Sequence, residues 1–363
     1  MQQTLLAALL ASLPLTALAS DVEVDLGKRD DIAALFSYPN CQQDCPAPAP
    51  SLEMTVSHWL MQNALRDASA NSAKEQPAVA VRNDSDHIKA TIRNAPADDY
   101  GKVIQSYLAI GQLGYQGALA VQQAGGIWQS DWRFFLTLGM AMRNHRTVQL
   151  LHFPPDTVLN DSQDYLTAAT TLRWAQVLGY NGMNVRDNGL YQTIADIAPI
   201  AAPASAGSAL TGTYSYFSQY TAALLNSWTA PVPGSNSVRP MVALGGPARD
   251  WFAQQYLPAG SKFDVLQLAK VNIGSNQQVP VLGGNHPSYI WYAKNDADGI
   301  AIMQQDLTVA CWQNAMGQKP DGDAQGVLNS CTSTWKNDSA MVCRLYYTSV
   351  KNLDAASAKA KCQ

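Results

Sequence analysis

Segments with strand character alternate with segments of helical character through the second half of this chain. Strand patterns occur at Thr147–Phe153, Pro240–Leu244 and Val279–Leu282, and helical patterns at Tyr216–Trp228 and Pro247–Tyr256. Strands that alternate with helices are typical of a mostly parallel sheet with helices on both faces. The sequence therefore predicts an α/β fold, whose functional residues are expected just beyond the carboxyl ends of the strands.

Several further elements are predicted with the same criteria of apolar spacing and flanking glycine or proline. The helices are Tyr100–Leu113, Asp131–Arg143 and Tyr165–Val177, and the strands are Ala118–Val121 and Phe263–Val271. A further helix is predicted after Asp298, with Asp296 or Asp298 as its N-cap.

The N-terminus has the pattern of a secretory signal. Leu5–Ala19 is an apolar run that ends in the A-x-A sequence Ala17-Leu18-Ala19, and it is too short to span a bilayer. We therefore expect a signal peptide over 1–20, the alternative being a buried N-terminal helix. The pair Lys28-Arg29 resembles a dibasic processing site of the fungal secretory route and gives a candidate pro-peptide over 21–29, unless these are two solvated cations. No later apolar run is long enough to cross a membrane, so no membrane span is expected.

Cysteines and sequons fit an extracellular location. The sequons lie at Asn83, Asn160 and Asn337, and predict a secreted glycoprotein. An even number of cysteines in a secreted chain predicts disulfides and leaves their pairing open. The candidates are Cys41, Cys45, Cys311, Cys331, Cys343 and Cys362. Zinc ligation is the alternative, but the spacings match no strong ligand pattern, so we predict no metal and no cofactor.

Composition also divides the chain. Residues 30–95 read as an irregular N-terminal region, 96–318 as the α/β domain, and 319–363 as a polar, cysteine-bearing C-terminal appendage. Whether 30–95 folds independently is left open by the sequence.

The net charge and the acidic residues of the chain argue against some classes of function. The net charge of −4 gives no basic excess with which to hold an extended nucleic acid. A secreted glycosidase would need two facing carboxylates, commonly glutamates, but only Glu53 and Glu75 follow residue 29. Asp156 and Asp187 follow strand candidates, so an aspartate-dependent glycosidase or other hydrolase stays an alternative.

Two acidic stretches, Asn295–Gly299 and Asp321–Gly326, resemble calcium-binding loops. Both lack the bidentate glutamate at the twelfth position, where Gln305 and Thr332 stand instead. They are therefore interpreted as turns or helix caps.

The segment Gly283–Tyr292 is the strongest functional candidate. A His286-Pro287-Ser288 turn directly after a strand would present an imidazole at the carboxyl edge of the sheet. Three aromatic residues follow: Tyr289, Trp291 and Tyr292. They would either stack on a flat ligand or pack under the next helix.

This turn and three other motifs resemble the uracil-DNA glycosylase superfamily over about 165–315. The superfamily has a parallel sheet whose last strand is followed by His-Pro-Ser. Its first motif is similar to Gly179-Tyr180-Asn181-Gly182, with glycine in place of proline, and its base-reading asparagine is similar to that in Leu224-Leu225-Asn226. Tyr191 stands where the family stacks an aromatic ring on uracil.

The resemblance implies a role for each residue. His286 would donate to the negative charge that develops on the departing base, and Asn181 would position water. Asn226 would read the base edge, while Ser288 would hold a phosphate. Tyr191 would stack on the base. Tyr289, one of the three aromatic residues after His286, is a further candidate for binding the ligand, independent of the resemblance.

Besides the aspartate-dependent glycosidase or other hydrolase, two classes of function therefore remain. One is a secreted protein that binds or cleaves a nucleobase- or nucleoside-like ligand, and the other is a non-catalytic secreted binding or effector-like protein. The sequence identifies no protein partner. Convergence of Asn181, Asn226 and His286 in one cleft would favour the first class.

Overall fold

The computed structural model describes residues 147–155, 169–181, 192–231 and 236–363, with most positions between 110 and 134. The strands are β1 (Arg133–Phe134), β2 (Thr147–Leu151), β3 (Gln192–Asp196), β4 (Ile200–Ala201), β5 (Met241–Leu244), β6 (Leu268–Ile273) and β7 (Asn276–Gly284). The helices are α1 (Ala169–Tyr180), α2 (Gly207–Thr211), α3 (Ser218–Thr229), α4 (Gly246–Tyr256), α5 (Asp296–Gln318), α6 (Ala324–Asn337), α7 (Ser339–Ser349) and α8 (Ala355–Lys361).

Five strands form the main sheet, in the order β3–β2–β5–β7–β6. β2, β3, β5 and β7 are parallel, whereas β6 runs antiparallel to β7. The predicted α/β fold with a mostly parallel sheet is confirmed. Because β3 and β5 lie on opposite sides of β2, the strand order reverses at β2, and such a switch point opens a crevice for ligands at the carboxyl edge.

Helices cover both faces of this sheet, which explains why every residue of β2 and β5 is buried. On one face, Leu224 of α3 and Phe252 of α4 share a core with Val148. On the other face, Trp174 of α1 and Leu307 of α5 share a second core with Leu151. Alternate residues of each strand therefore enter different cores.

The C-terminal helices α6 to α8 extend the second core. Leu328 and Trp335 of α6 and Tyr346 of α7 are buried in the same cluster as Trp312 of α5. Residues 319–363, predicted as a polar appendage, thus contribute large apolar side chains to the core of the α/β body.

Disulfides join these helices. Cys311–Cys331 connects α5 to α6, and Cys343–Cys362 connects α7 to the residue that follows α8. Four of the six disulfide candidates are thereby confirmed as paired. Cys41 and Cys45 lie outside the described residues.

Two of the predicted elements are wrong in those of their residues that the structure describes. Residues of the predicted strand Ala118–Val121 are helical, because a short alanine-rich apolar run fits either state. Within the predicted helix Asp131–Arg143, β1 pairs antiparallel with β4, so a tertiary contact overrides the helical spacing.

The acidic stretches are helix caps, as predicted. Asn295 Oδ1 accepts from the Asp298 N–H at the start of α5, and Asp323 Oδ1 accepts from the Gln325 N–H at the start of α6. Asn295, and not Asp296 or Asp298, is thus the cap of α5.

Several other predictions concern residues that are not described. The signal peptide over 1–20, the pro-peptide over 21–29, the region 30–95, Asn83 and Asn160 all lie outside the described residues. In the described part, Asn337 is exposed at the last position of α6, and no helix is long and apolar enough to cross a membrane.

Candidate functional site

The carboxyl ends of the parallel strands bring four residues to one edge of the sheet. Leu150 pairs with Ala243 and Leu244 pairs with Gly284, so His152, Gly245 and Asn285 follow their strands at neighbouring positions. His286 comes next in the chain. This edge, defined by His152, Gly245, Asn285 and His286, is called the histidine edge below.

Gly245 makes the close packing of this edge possible. Its φ is +96°, a backbone conformation that side chains disfavour, and a Cβ there would lie 3.0 Å from the Cβ of His286. The Gly245 N–H donates to the Gly284 carbonyl at 3.0 Å, which fixes the turn to β7. The turn between β5 and α4 therefore forms one wall against His286.

The tautomer of His286 follows from its hydrogen bonds. Nδ1 accepts from the Ser288 backbone N–H at 3.3 Å and lies 2.6 Å from the Ser288 hydroxyl. Because a backbone N–H can only donate, Nδ1 is the acceptor and Nε2 carries the proton of the neutral ring. Burial lowers the pKa of His286 to about 4, so this half-buried ring is a neutral donor at pH 7.

Three exposed aromatic side chains follow His286 in the chain. His286 caps a 3-10 helix, Pro287–Tyr292, in which Ile290 is buried. Tyr289 is 53% exposed, Trp291 44% and Tyr292 76%. These exposures are too high for rings buried under the next helix, and stacking on a flat ligand stays a prediction.

His152 is a member of this edge that the sequence analysis did not single out. Its ring contacts those of Phe153 and Tyr214 edge-on, at centroid distances of 4.5 and 5.4 Å. Burial and the nearby His286 lower the pKa of His152 to about 4. His152 falls near the end of the predicted strand Thr147–Phe153, just before Pro154-Pro155, and this position was the signal that could have found it.

A further anchor was missed by sequence reasoning. Asn285 is 6% exposed, and its Nδ2 donates to Gln305 Oε1 at 2.9 Å and to Asp306 Oδ1 at 3.3 Å. These contacts tie the residue before His286 to α5. No local pattern reveals them, because Gln305 and Asp306 lie twenty residues further along the chain.

Asn181, predicted to position water, lies in the protein body. Its Nδ2 donates to the carbonyls of Val177 and Leu307 at 3.1 and 3.2 Å, and its Oδ1 accepts from Trp335 Nε1 at 3.1 Å. Its carbonyl accepts from Asn314 Nδ2 at 2.9 Å. Both polar atoms of its side chain thus have partners in the protein, and those with Leu307 and Trp335 join the end of α1 to α5 and α6.

Asn181, at the end of α1, lies towards the amino edge of the sheet. Gln313, beside its partner Asn314 on α5, donates to Thr147 Oγ1 at 2.9 Å. Thr147 is the first residue of β2, so this part of α5 lies over the amino edge of the sheet. His286 follows the opposite, carboxyl edge.

Asn226, predicted to read a base, lies on the other face of the sheet. Its Oδ1 accepts from the Ser275 N–H at 2.9 Å and contacts the Ser275 hydroxyl at 3.1 Å, in the turn between β6 and β7. The whole of β7 separates this turn from His286, and its nine residues span about 25–30 Å.

The structure therefore brings Ser288 and Tyr289 to His286 and does not bring Asn181 or Asn226 there. The expectation that these two asparagines and His286 line one cleft is not met, because α1 and α3 end at the amino edge of the sheet on opposite faces. Tyr191 lies outside the described residues.

Neither a grouping of metal ligands among the described residues nor similarity to known proteins assigns a function to the histidine edge. In the described ranges, no three or more histidine, cysteine, aspartate or glutamate side chains are grouped so that they could hold a metal ion. Comparison with protein-family models, with curated proteins and with solved structures finds no match.

Proposed function

We propose that this protein is a secreted glycoprotein that binds a flat nucleobase- or nucleoside-like ligand at the histidine edge. The observation that carries the proposal is the neutral His286 ring, whose Nε2–H makes no hydrogen bond within the described part of the chain. A base carbonyl is the complementary acceptor. Cleavage of a glycosidic bond is not part of the proposal, because Asn181 and Asn226 lie elsewhere.

The neighbouring rings support a flat ligand. Tyr289, Trp291 and Tyr292 follow His286 within six residues and are all exposed. Stacking of a base on an aromatic side chain contributes about 1–3 kcal/mol. A donor and stacking faces on one short turn suit a heterocycle better than an aliphatic ligand.

The resemblance to the uracil-DNA glycosylase superfamily supports the same ligand class. His286-Pro287-Ser288 follows β7, the last parallel strand of the sheet. Uracil and uridine are therefore the first ligands to test, with adenosine as a purine comparison.

Binding is tested by calorimetric titration of the full-length protein with uracil, uridine and adenosine. Loss of the donor in His286→Ala should weaken binding about tenfold, and loss of the ring in Trp291→Ala by about tenfold or more. Met341→Ala, at an exposed apolar residue on α7, is the control and should bind like the wild type. Equal affinity in all four proteins, or no binding of any of the three compounds, would exclude the proposal.

Catalysis is measured on the same samples. Release of uracil from uridine or from a uracil-containing oligonucleotide, lost in His286→Ala, would show that binding proceeds to cleavage. Binding without release would favour the non-catalytic binding protein.

Secretion has its own support and test. The disulfides Cys311–Cys331 and Cys343–Cys362 and the exposed sequon residue Asn337 suit an extracellular protein. Expression in a fungal host should deliver the protein to the medium with an N-terminus at Asp21, or at Asp30 after dibasic processing. Endoglycosidase should then lower its mass, and retention in the cell with Met1 intact would contradict secretion.

A further inference from the structure

A buried carboxyl group lies directly behind the histidine edge. Asp306 of α5 is 1% exposed, and its Oδ1 accepts from Asn285 Nδ2 at 3.3 Å. Its Oδ2 lies 4.0 Å from Arg173 Nη2 and accepts no hydrogen bond from the described residues. The charge of this carboxylate is therefore only partly compensated.

Arg173 is an incomplete partner. Its Nη2 is 3.3 Å from Met303 Sδ, its Nη1 donates to Gln176 Oε1 at 3.4 Å, and its Nε is buried without a hydrogen bond in the described part of the chain. A buried ion pair without bidentate geometry recovers only part of the cost of desolvation. Burial accordingly raises the pKa of Asp306 to about 7, although Arg173 and Asn285 oppose that rise.

Among the described residues, few other titratable groups act on Asp306 and Arg173. Tyr180, at the end of α1, interacts with Arg173, and His286 directly follows Asn285 in the chain. His286 is neutral near pH 7 because burial lowers its pKa to about 4. Asp306 is thus the group of this cluster that changes charge near neutral pH.

Asn285 connects this change to the ligand site. The side-chain amide of Asn285 donates to both Gln305 and Asp306. Asn285 is also the residue directly before His286 in the chain. A hydrogen bond to an ionised acceptor is roughly twice as strong as a neutral one. Protonation of Asp306 therefore weakens one of the two bonds that hold this turn on α5.

We propose that Asp306 is a pH-dependent positioning residue, whose ionised form holds Asn285, and through it His286, in the ligand-binding arrangement. The inference for ligand affinity rests on the proposed function. The coupling between Asp306 and His286 does not, because it is observable without a ligand.

The first test follows the imidazole resonances of His286 by NMR from about pH 5.5 to 8.5, identified by their absence in His286→Ala. The wild type should show an inflection near pH 7, well above the titration of His286 itself, and Asp306→Asn should not. Asp298→Asn, an exposed aspartate on the same helix, is the matched control and should keep the inflection. An inflection that persists in Asp306→Asn, or none in the wild type, would overturn the proposal.

A second variant separates titration from coupling. In Asn285→Ala, the free energy of unfolding should still change with pH as Asp306 titrates. The inflection of the His286 resonances near pH 7 should disappear. If Asp306→Asn does not fold, Asn285→Ala still tests the proposal. An inflection that persists in Asn285→Ala refutes coupling through Asn285.

Ligand affinity completes the test. From pH 8 to pH 6, the affinity of the wild type for uridine should fall about fivefold to tenfold, whereas that of Asp306→Asn should be constant. A fall of equal size in both proteins would refute the role in binding. Absence of uridine binding at both pH values would refute the proposed function, and the NMR result would still decide the coupling.

Discussion

Gly245 and His286 are in such close contact that a Cβ on Gly245 would lie 3.0 Å from the Cβ of His286. Their strands, β5 and β7, are adjacent and parallel, so the turns that follow them meet at the same edge. The close approach of the His286 turn to the end of β5 therefore depends on a glycine about forty residues away.

Gly245→Ala should destabilise the protein by about 1–3 kcal/mol, because the new side chain meets both a positive φ and His286. Gly246→Ala is the matched control, since a Cβ there meets nothing within 4 Å, and it should cost less than about 1 kcal/mol. Chemical denaturation measures both. Equal free energies of unfolding for the two variants would show that Gly245 is not constrained by His286.

Asn181→Ala should act on stability and leave the ligand site intact. The variant removes three side-chain hydrogen bonds and leaves Trp335 Nε1 without its acceptor, which should cost about 1–3 kcal/mol. Uridine affinity of the folded variant should equal that of the wild type. Asn329→Ala, at an exposed asparagine on α6 that accepts one exposed hydrogen bond from Gln325, is the control. It should change stability by less than about 0.5 kcal/mol and leave the affinity unchanged. A loss of affinity with unchanged stability would restore a role for Asn181 in the site.

His152 should make the protein less stable in acid. Its pKa is lowered from 6.5 to about 4, so the unfolded chain binds more protons than the folded one between these values. The contribution of this shift to the free energy of unfolding is fully present above pH 6.5 and is lost as the pH falls through 4, by about 3 kcal/mol in all.

His152→Asn should therefore flatten the fall in stability between pH 6.5 and 4, measured by urea denaturation at several pH values. Asp306 contributes with the opposite sign over this range, because its raised pKa makes the folded state the better proton binder. That contribution is present in both proteins and cancels from their difference. An unchanged slope in His152→Asn would show that the ring is not held neutral.

The disulfide Cys343–Cys362 should stabilise the C-terminal helices. It closes a loop with a sequence separation of 19 residues, for which chain entropy predicts about 3 kcal/mol. The double variant Cys343→Ala/Cys362→Ala should lower the free energy of unfolding by about 3 kcal/mol.

Cys311→Ala/Cys331→Ala is the comparison for this disulfide. Its loop is almost equal in length, at 20 residues, but Cys331 is only 3% exposed and belongs to the second core. Its loss should cost more, because packing is disturbed as well as chain entropy. A smaller cost than that of the first pair would contradict a structural role for α6 in the core.

Local patterns determined the strands β2, β5 and β7 and the helices α3, α4 and α5 of this protein. Apolar runs bounded by Pro240 and Gly245, or by Gly283, specify elements through interactions close in the chain. The same patterns placed His286 and Ser288 just beyond a strand. Local patterns failed at Ala118–Val121, because a short alanine-rich run fits helix and strand equally well.

Only the tertiary structure decided which residues share a site. Strand order set His152 beside Gly245, and the return of α5 over the sheet brought Asp306 behind Asn285. Strand order and helix path also carried Asn181 and Asn226 to opposite faces at the far edge of the sheet. The physical reason is that contacts such as Asn181–Trp335, 154 residues apart in sequence, depend on the packing of whole elements, which no local pattern encodes.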